Sequence, residues 1–459
     1  MHSIYVNDVI RLCCGKVLYG DEELELSIFS TDTRKLNQGD VYVGICGEHV
    51  DGNDFYKEAY DKGASCLILS KEPKEKLDGV TIIIVEDTLV CLQELAKYKR
   101  SLYDIPVIAV TGSVGKTSTK DIIYSVVSQK YKTHRTIGNF KNHLGLPLTI
   151  LGLSDDTEAL IVEMGMNHFG EISLLSNIAK PTISVITNIG TAHIGNLGSR
   201  EGILKAKLEI LDGMIGDIFI YNGDDDMLDG CLDNRYDLEY VIDSFTYSID
   251  NKSDWQAINI KEDVFSSKFD ILNTDSDITV NVGGKAYIYN SLVAYAVGVV
   301  LDIDKSLIKE GINDFKLSSS RLEKKITKNG VTLIDDTYNA NYDSMKSSIE
   351  LLRKVKDKRR IAILGDMLEL GDYTNEYHTN LGDVIIGNNI DVLVTIGEYS
   401  KLIGKRSIEL GMDSNNIYSF SKEEDSYSFL KNYLNNNDIV LLKGSHGIHL
   451  IGIVDYLMK

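Results

Sequence analysis

The sequence predicts an α/β protein of three successive units, and three observations predict it. Short, almost wholly apolar runs such as "VIAV", "ALIVEMG" and "TISVITNIG" alternate with stretches of helical periodicity, as parallel strands covered on both faces do. A glycine-rich loop, "TGSVGKTS", follows directly on the first of these runs and opens a helix. The length, 459 residues, at roughly 100–200 residues per domain leaves room for about three domains.

The first unit, 1–105, carries the strand-like runs "VYVGI", "SCLILS" and "VTIIIVED" and one helix, "TLVCLQELAKYKRSLY". Pro106 then punctuates the start of a new strand. The second unit, 106–317, repeats a strand-loop-helix pattern: the strand "VIAV", a helix from about Thr117 to Lys130, a strand ending near Glu163, and a third ending at Asn188 and Gly190. Its later part, about 240–290, alternates polar and apolar residues, which predicts an antiparallel edge before the helix "YNSLVAYAVGVVL". The third unit, 318–459, has strands "VTLID", "RIAILG", "DVLVTIG" and "DIVLLKG", a second open parallel sheet. Ligands of such sheets bind beyond the carboxyl ends of the strands, where the motifs of these two units lie.

Composition excludes several classes. Net charge is −20, from 48 basic and 68 acidic residues, which repels a polyanion, so no nucleic-acid partner is expected. No apolar run reaches the roughly 18–20 residues that cross a bilayer, and the N-terminus has no secretory pattern. Cys13, Cys14, Cys46, Cys66, Cys91 and Cys231 include no C-x-x-C pair, so buried reduced thiols are expected rather than a zinc site.

In "TGSVGKTS", Gly112 and Gly115 let the backbone approach a phosphate, and the amides from Ser113 through Val114 to Ser118 sit at a helix N-terminus that attracts anions. Lys116 supplies a point charge to the phosphates and Thr117 a hydroxyl for Mg²⁺. The spacing departs from G-x-x-x-x-G-K-[ST], because Val110 stands where the first glycine is expected. Glu163, one strand along, is placed to hold the metal. A single histidine, His193, is more often structural than a ligand. Lys205 and Lys207 are two apart on a helix, share no face, and by themselves read as solvated. "IDDTYNANYDSM" crowds five polar groups at a strand end, before a helix whose expected cap is Asp343. "LGDMLELGD" and "LLKGSHG" follow the neighbouring strands.

Taken together these strings resemble the Mur ligases, ATP-dependent amide-forming enzymes of peptidoglycan assembly, along essentially the whole chain. The family's T-G-[ST]-x-G-K-T is matched by Thr111 to Thr117, and "GNFKNHLGLP", "EMGMNHFGEI" and "TNIGTAH" match its other segments. "DDTYNAN" with "GDMLELG" resembles the member that adds D-alanyl-D-alanine to UDP-N-acetylmuramoyl-tripeptide. The resemblance implies a small N-terminal α/β domain for the UDP-sugar-peptide, a central P-loop ATPase-like parallel sheet and a C-terminal Rossmann-like domain. It implies ATP, two Mg²⁺ ions with Glu163 and His193 as ligands, and a carbamylated Lys207 supporting the second. Asn290, Arg321 and Asp336 fall near the nucleotide. Asn139, Asn142, Asn339 and Asn341 fall near substrate, and Asp32, Thr33, Arg34, Asp51 and Gly52 fall in the UDP-sugar-peptide region. A cytoplasmic monomer is expected. Departures from the family pattern are Thr33, Asn53, His143, Ala286, Tyr342 and His446. Two competing readings are another amide ligase of the same fold, of the folylpolyglutamate or cyanophycin kind, and a nucleotide-dependent switch that hydrolyses ATP without ligation.

Overall fold

The computed structural model describes residues 2–232, 242–317 and 319–459. Among them the strands form a nine-, a six- and a five-stranded sheet and a two-stranded ribbon, each of the three sheets lying within one of the α/β units the sequence suggests. The five-stranded sheet is N-terminal, in the order Lys16–Tyr19, Thr81–Ile84, Cys66–Leu69, Val41–Val43 and Phe29–Ser30. This unit holds more helix than the single segment expected from sequence: Val6–Cys13 and Tyr56–Asp61 join Thr88–Ser101. The two extra helices are short, eight and six residues, too brief for a 3.6-residue period to stand out.

The nine-stranded sheet forms the middle of the molecule. Val107–Thr111 lies between Ala159–Glu163 and Ile183–Ile186, parallel to both. All five of its residues are buried, as a strand covered on both faces requires. From it the chain first builds toward the edge strand Thr133–Arg135, then crosses to the opposite side through Ile183–Ile186 and Ile218–Asn222. The crossing opens a crevice at the carboxyl ends of these central strands. The expected antiparallel edge is present: Trp255–Glu262, Ser267–Ile271 and Asp275–Val280 pair antiparallel. Helix Lys116–Val127 packs on Lys285–Val300 through Ile122, Ile123 and Val126 against Leu292, Val293 and Ala296 in one apolar cluster. The opposite face shares a continuous core with the N-terminal unit, from Ile4 and Leu92 to Val162 and Phe219.

The six-stranded sheet runs Glu323–Ile326, Thr332–Asp335, Asp438–Lys443, Arg359–Gly365, Val392–Ile396 and Ile417–Phe420. It is parallel except for its first strand.

Two sequence expectations need correction here. Cys66 and Cys91 are buried and Cys13 and Cys231 half-buried, but Cys14 and Cys46 are exposed, because Cys14 is the left-handed cap of the short helix Val6–Cys13 and Cys46 lies past strand Val41–Val43 in a bridge to Asp51. The helix Tyr342–Leu352 is capped by Asn341, whose side chain accepts from Ser344 N–H, and not by Asp343, which lies within the first turn. No helix among the described residues is long and apolar enough to cross a membrane.

Candidate active site

The glycine loop leaves the buried strand at Thr111 and enters the helix at Lys116. Gly112 has φ +150°, and a Cβ there would lie 1.9 Å from Thr187 Oγ1, so only glycine fits. Asn188 and Thr187 hold the loop's shape. Ser113 N–H donates to Asn188 O (3.0 Å) and Val114 N–H to Asn188 Oδ1 (2.9 Å), while Thr187 Oγ1 and Asn188 Nδ2 donate to Val114 O (2.7 and 2.9 Å). Lys116 Nζ donates to the loop's own carbonyls, Gly112 O at 2.6 Å and Ser113 O at 3.3 Å. Burial, then repulsion from Lys141, pushes its ammonium down to about 7, against the attraction of Glu163. A polyphosphate would relieve that desolvation with compensating charge. Thr117 Oγ1 accepts from Arg321 Nη2 (3.1 Å), and the Ser118 hydroxyl is turned to Tyr287 OH (3.4 Å).

Strand register places Glu163 beside Val110, at the mouth of the loop. It is 1% exposed, and neither carboxylate oxygen has a hydrogen-bond partner among the described residues. Lys141 Nζ stands 3.4 Å from Oε1. Burial works to raise this carboxyl, yet Lys141, Lys116 and Lys120 together hold it below the usual range. A buried anion with unfilled lone pairs suits a divalent cation. Among the described residues no trio of His, Cys, Asp and Glu forms a ready-made cage. A magnesium held here would take most of its other ligands from phosphates and water, as Mg²⁺ at nucleotide sites does.

Lys207 corrects the sequence reading. It is 2% exposed in helix Arg200–Leu208 and is not solvated, whereas Lys205 is exposed. Burial, and the charges of Lys116 and Lys141, push its amine well below the usual lysine range. His193 has φ +64° and sets Nδ1 3.1 Å from Glu369 Oε2 of the C-terminal unit. It does not line the cavity that Glu163 lines.

That cavity, about 310 Å³, lies between the central and C-terminal units and is lined by Ser113 to Ser118, Lys141, Glu163, Asn290, Arg321, Asp336, Asn339 and Asn341. Asn290 Oδ1 accepts from Thr119 Oγ1 (2.9 Å) beside Gly115. Asp336 accepts from Lys443 Nζ (2.6 Å) and Ser348 Oγ (2.7 Å), an ion pair made possible because strands Thr332–Asp335 and Asp438–Lys443 are neighbours. Lys443 also donates to Asn339 O (3.1 Å). The Arg321 guanidinium lies 3.9 Å from the Tyr338 ring centroid, an arrangement that holds the charge over the loop. At the far end Glu262 of the central unit pairs with Lys354 of the C-terminal unit.

The remaining sequence candidates have local partners, except that Asn139 reaches the C-terminal unit. Asn139 Oδ1 accepts from Tyr338 OH (3.4 Å), and Asn142 Oδ1 accepts from Gly145 N–H (2.9 Å) at the start of a helix. Asp32 binds Arg34 through two guanidinium contacts of 2.9 Å, which bring its carboxyl to about 2. Asp51, held to about 2 by Lys71 and Asn53, caps the turn Gly52–Phe55, and Thr33 is buried in the turn Thr33–Lys35. None of these five N-terminal residues lines the cavity. Sequence reasoning missed Lys141 and Lys443, although both fall inside quoted strings. A lysine directly after an apolar strand, as in "LLKGS", was the available signal.

Family comparisons agree along the chain. The model described as Mur ligase middle domain matches residues 110–298. That of the Mur ligase glutamate ligase domain matches 320–446, and that of the Mur ligase family catalytic domain matches 25–100. The Bacillus subtilis UDP-N-acetylmuramoyl-tripeptide--D-alanyl-D-alanine ligase is 35% identical over 94% of this chain and 93% of its own. The Escherichia coli enzyme of the same name is 31% identical over 89% of each. Among solved structures, MurF from Acinetobacter baumannii superposes with a TM-score of 0.89 at 26% identity, covering 99% of both chains. The MurF ligase of Thermotoga maritima, in complex with ADP, gives 0.80 at 27% identity, covering 94% of this chain and 97% of that one.

Proposed function

The chain belongs to the Mur ligase family, and from that premise we propose that it joins D-alanyl-D-alanine to UDP-N-acetylmuramoyl-tripeptide, converting ATP to ADP and phosphate. The observation that carries the reading is the shared cavity. The phosphate loop lines one wall, and the Asp336–Asn341 segment, within the string resembling the D-alanyl-D-alanine-adding member, lines the other.

A carboxylate resists attack by an amine because its oxygen is a poor leaving group. In the proposed first step an oxygen of the peptide's terminal carboxylate bonds to the γ-phosphorus of ATP as the bond to the β-phosphate bridge breaks, releasing ADP and leaving an acyl phosphate. The amine of D-alanyl-D-alanine then adds to the acyl carbon, loses a proton, and expels phosphate from the tetrahedral intermediate. Two anions meet in the first step, so charge neutralisation is the main task. Lys116 and Arg321 would exchange their present partners for phosphate oxygens, and the amides at the N-terminus of helix Lys116–Val127 would donate to the same anion while Asn188 keeps Ser113 and Val114 in place. Thr117 and Glu163 would hold magnesium, with His193 drawn in from its contact with Glu369. Bound there, the metal supplies Lewis-acid polarisation of the phosphates. Asn290 and Asp336 would fix the nucleoside, and Asn139, Asn142, Asn339 and Asn341 would border the two substrates. The turns at Asp32–Arg34 and Asp51–Gly52 would hold the UDP-sugar end.

Burial and the neighbouring charges disfavour the ammonium form of Lys207, and its free amine would add to carbon dioxide with loss of a proton. The resulting carbamate would lie in the field of Lys116 and Lys141, whose charges would favour it, and would support a second magnesium. The reading further places the reaction in the cytoplasm, on a monomer.

The test is ADP release with each substrate omitted in turn, followed by mass analysis. Release that requires both the UDP-muramoyl-tripeptide and D-alanyl-D-alanine, with the pentapeptide nucleotide as product, supports the ligase. Hydrolysis indifferent to both supports a switch, and a product with another amine supports a different ligase of this fold.

A further inference from the structure

The segment 187–198 touches the phosphate loop on one side and the C-terminal unit on the other. Toward the loop, besides the Thr187 and Asn188 bonds, Gly190 N–H donates to Ser113 Oγ at 2.9 Å. Toward the C-terminal unit, Thr191 donates both its N–H (2.9 Å) and its hydroxyl (3.0 Å) to Asp343 Oδ2. Gly190 is clamped between them: a Cβ there would lie 2.3 Å from Asp343 Oδ2 and 3.3 Å from Ser113 Cβ. Asp343 is available for this contact because Asn341 caps its helix. Asp343 itself does not line the nucleotide cavity.

We infer that Asp343 is a positioning residue that grips Thr191 and thereby couples docking of the C-terminal unit to the shape of the phosphate loop, so that the docked molecule holds nucleotide more tightly than the undocked one. The inference rests on the reading of this loop as the ATP cradle, and adds to it a residue more than two hundred positions from the loop. The connection is short and stiff. One carboxylate oxygen takes two donors of Thr191, charge-assisted bonds stronger than neutral ones, and the adjoining residues 187–190 make the bonds that shape Ser113 and Val114. Coupling of this kind is reciprocal: whatever docking adds to nucleotide affinity, nucleotide adds to docking.

The sign of the effect separates this role from its rivals. A carboxylate near a polyphosphate repels it, so removing the charge alone would tighten nucleotide binding. A role confined to packing between the units would leave the affinity of the loop unchanged.

The test is calorimetric titration of the full-length protein with ADP and with a non-hydrolysable ATP analogue, both with magnesium and without peptide substrates. Asp343→Ala is expected to weaken both by about five- to tenfold, the lower range of measured couplings. Asp343→Asn keeps an acceptor oxygen for Thr191 and is expected to recover most of the loss despite lacking the charge. Thr191→Val, which removes only the hydroxyl, is expected to weaken binding by less, and to add less to Asp343→Ala than it costs alone. Thermal unfolding of each variant reports whether it folds, and Thr191→Val and Asp343→Asn keep the test open if Asp343→Ala does not. Unchanged or tighter binding in a folded Asp343→Ala protein overturns the inference. Absence of nucleotide binding in the parent protein instead overturns the ATP-site reading.

Discussion

Glu163 and Lys141 face each other at the phosphate loop, the ammonium 3.4 Å from Oε1, and no described residue gives either carboxylate oxygen a hydrogen bond. Such a carboxylate is held ionised by cations around it while its lone pairs stay open. It is placed by the sheet, because its strand is in register with the strand that feeds the loop.

Glu163→Gln keeps the shape and removes the charge. The magnesium concentration giving half-maximal ADP formation is expected to rise at least ~10-fold, since even outer-shell partners of a metal cost that much. An unchanged magnesium dependence would remove Glu163 from the metal site.

Lys116 is enclosed by its own loop, with two backbone carbonyls as partners. Lys116→Ala is expected to lower pentapeptide formation at least ~10²-fold, the scale for losing one preorganised charge-stabilising group. Near-parental turnover would refute the assigned role.

Lys207→Ala is expected to be inactive, and partly restored by formate or acetate standing in for a carbamate. Full activity with no additive would defeat the carbamate proposal, as would a parental protein whose intact mass and lysine reactivity never respond to bicarbonate.

Two glycines give opposite predictions from local geometry. Gly112→Ala would set a Cβ 1.9 Å from Thr187 Oγ1 at φ +150°, and is expected to abolish measurable nucleotide binding and to cost roughly 1–3 kcal/mol of stability. Gly387, exposed in the last turn of helix Thr374–Gly387, has open space where a Cβ would stand, with nothing within 4 Å. Gly387→Ala is expected to stabilise by about 0.4–1 kcal/mol with turnover unchanged. Denaturant unfolding measures both.

His378 gives a pH prediction. Fully buried, its Nε2 accepts from Met367 N–H at 2.9 Å while Nδ1 donates to Thr374 O at 2.6 Å, which keeps the ring neutral. Burial lowers its pKa below the ordinary 6.5, opposed by Thr374 and Asp366. The unfolded chain therefore binds the proton first. The stability contribution is complete above 6.5 and is lost as the pH falls from there through the depressed folded value. Unfolding midpoints are expected to drop over that window, and less so in His378→Gln, which has no proton to take up. Equal slopes for the two proteins would exclude His378 as the source.

Much of the site was legible in the sequence because its parts are local. The loop Thr111–Thr117 needs only a strand before it and a helix after it. Glu163 and Asp336 stand at the ends of apolar runs that any parallel sheet aligns; Lys443 ends another such run and was passed over. The antiparallel edge after residue 240 was visible for the same reason, since alternation survives in a single strand. Spacing alone left Lys207 solvated, and only the family resemblance singled it out, because two lysines two apart look alike on a helix viewed alone; the packing around that helix decides that one is buried and the other exposed. Asp343 was misread as a cap because Asp suits both positions. The cap went to Asn341, leaving the carboxylate to meet Thr191, 152 residues away.

The sequence by itself determined the phosphate loop, the strands that carry it and the family, all of which depend on neighbours a few residues apart. The tertiary structure alone decided which lysine loses its water, which carboxylate keeps open lone pairs, and how the third unit reaches the loop. Those outcomes depend on burial and on contacts between distant segments, and no periodicity along the chain encodes either.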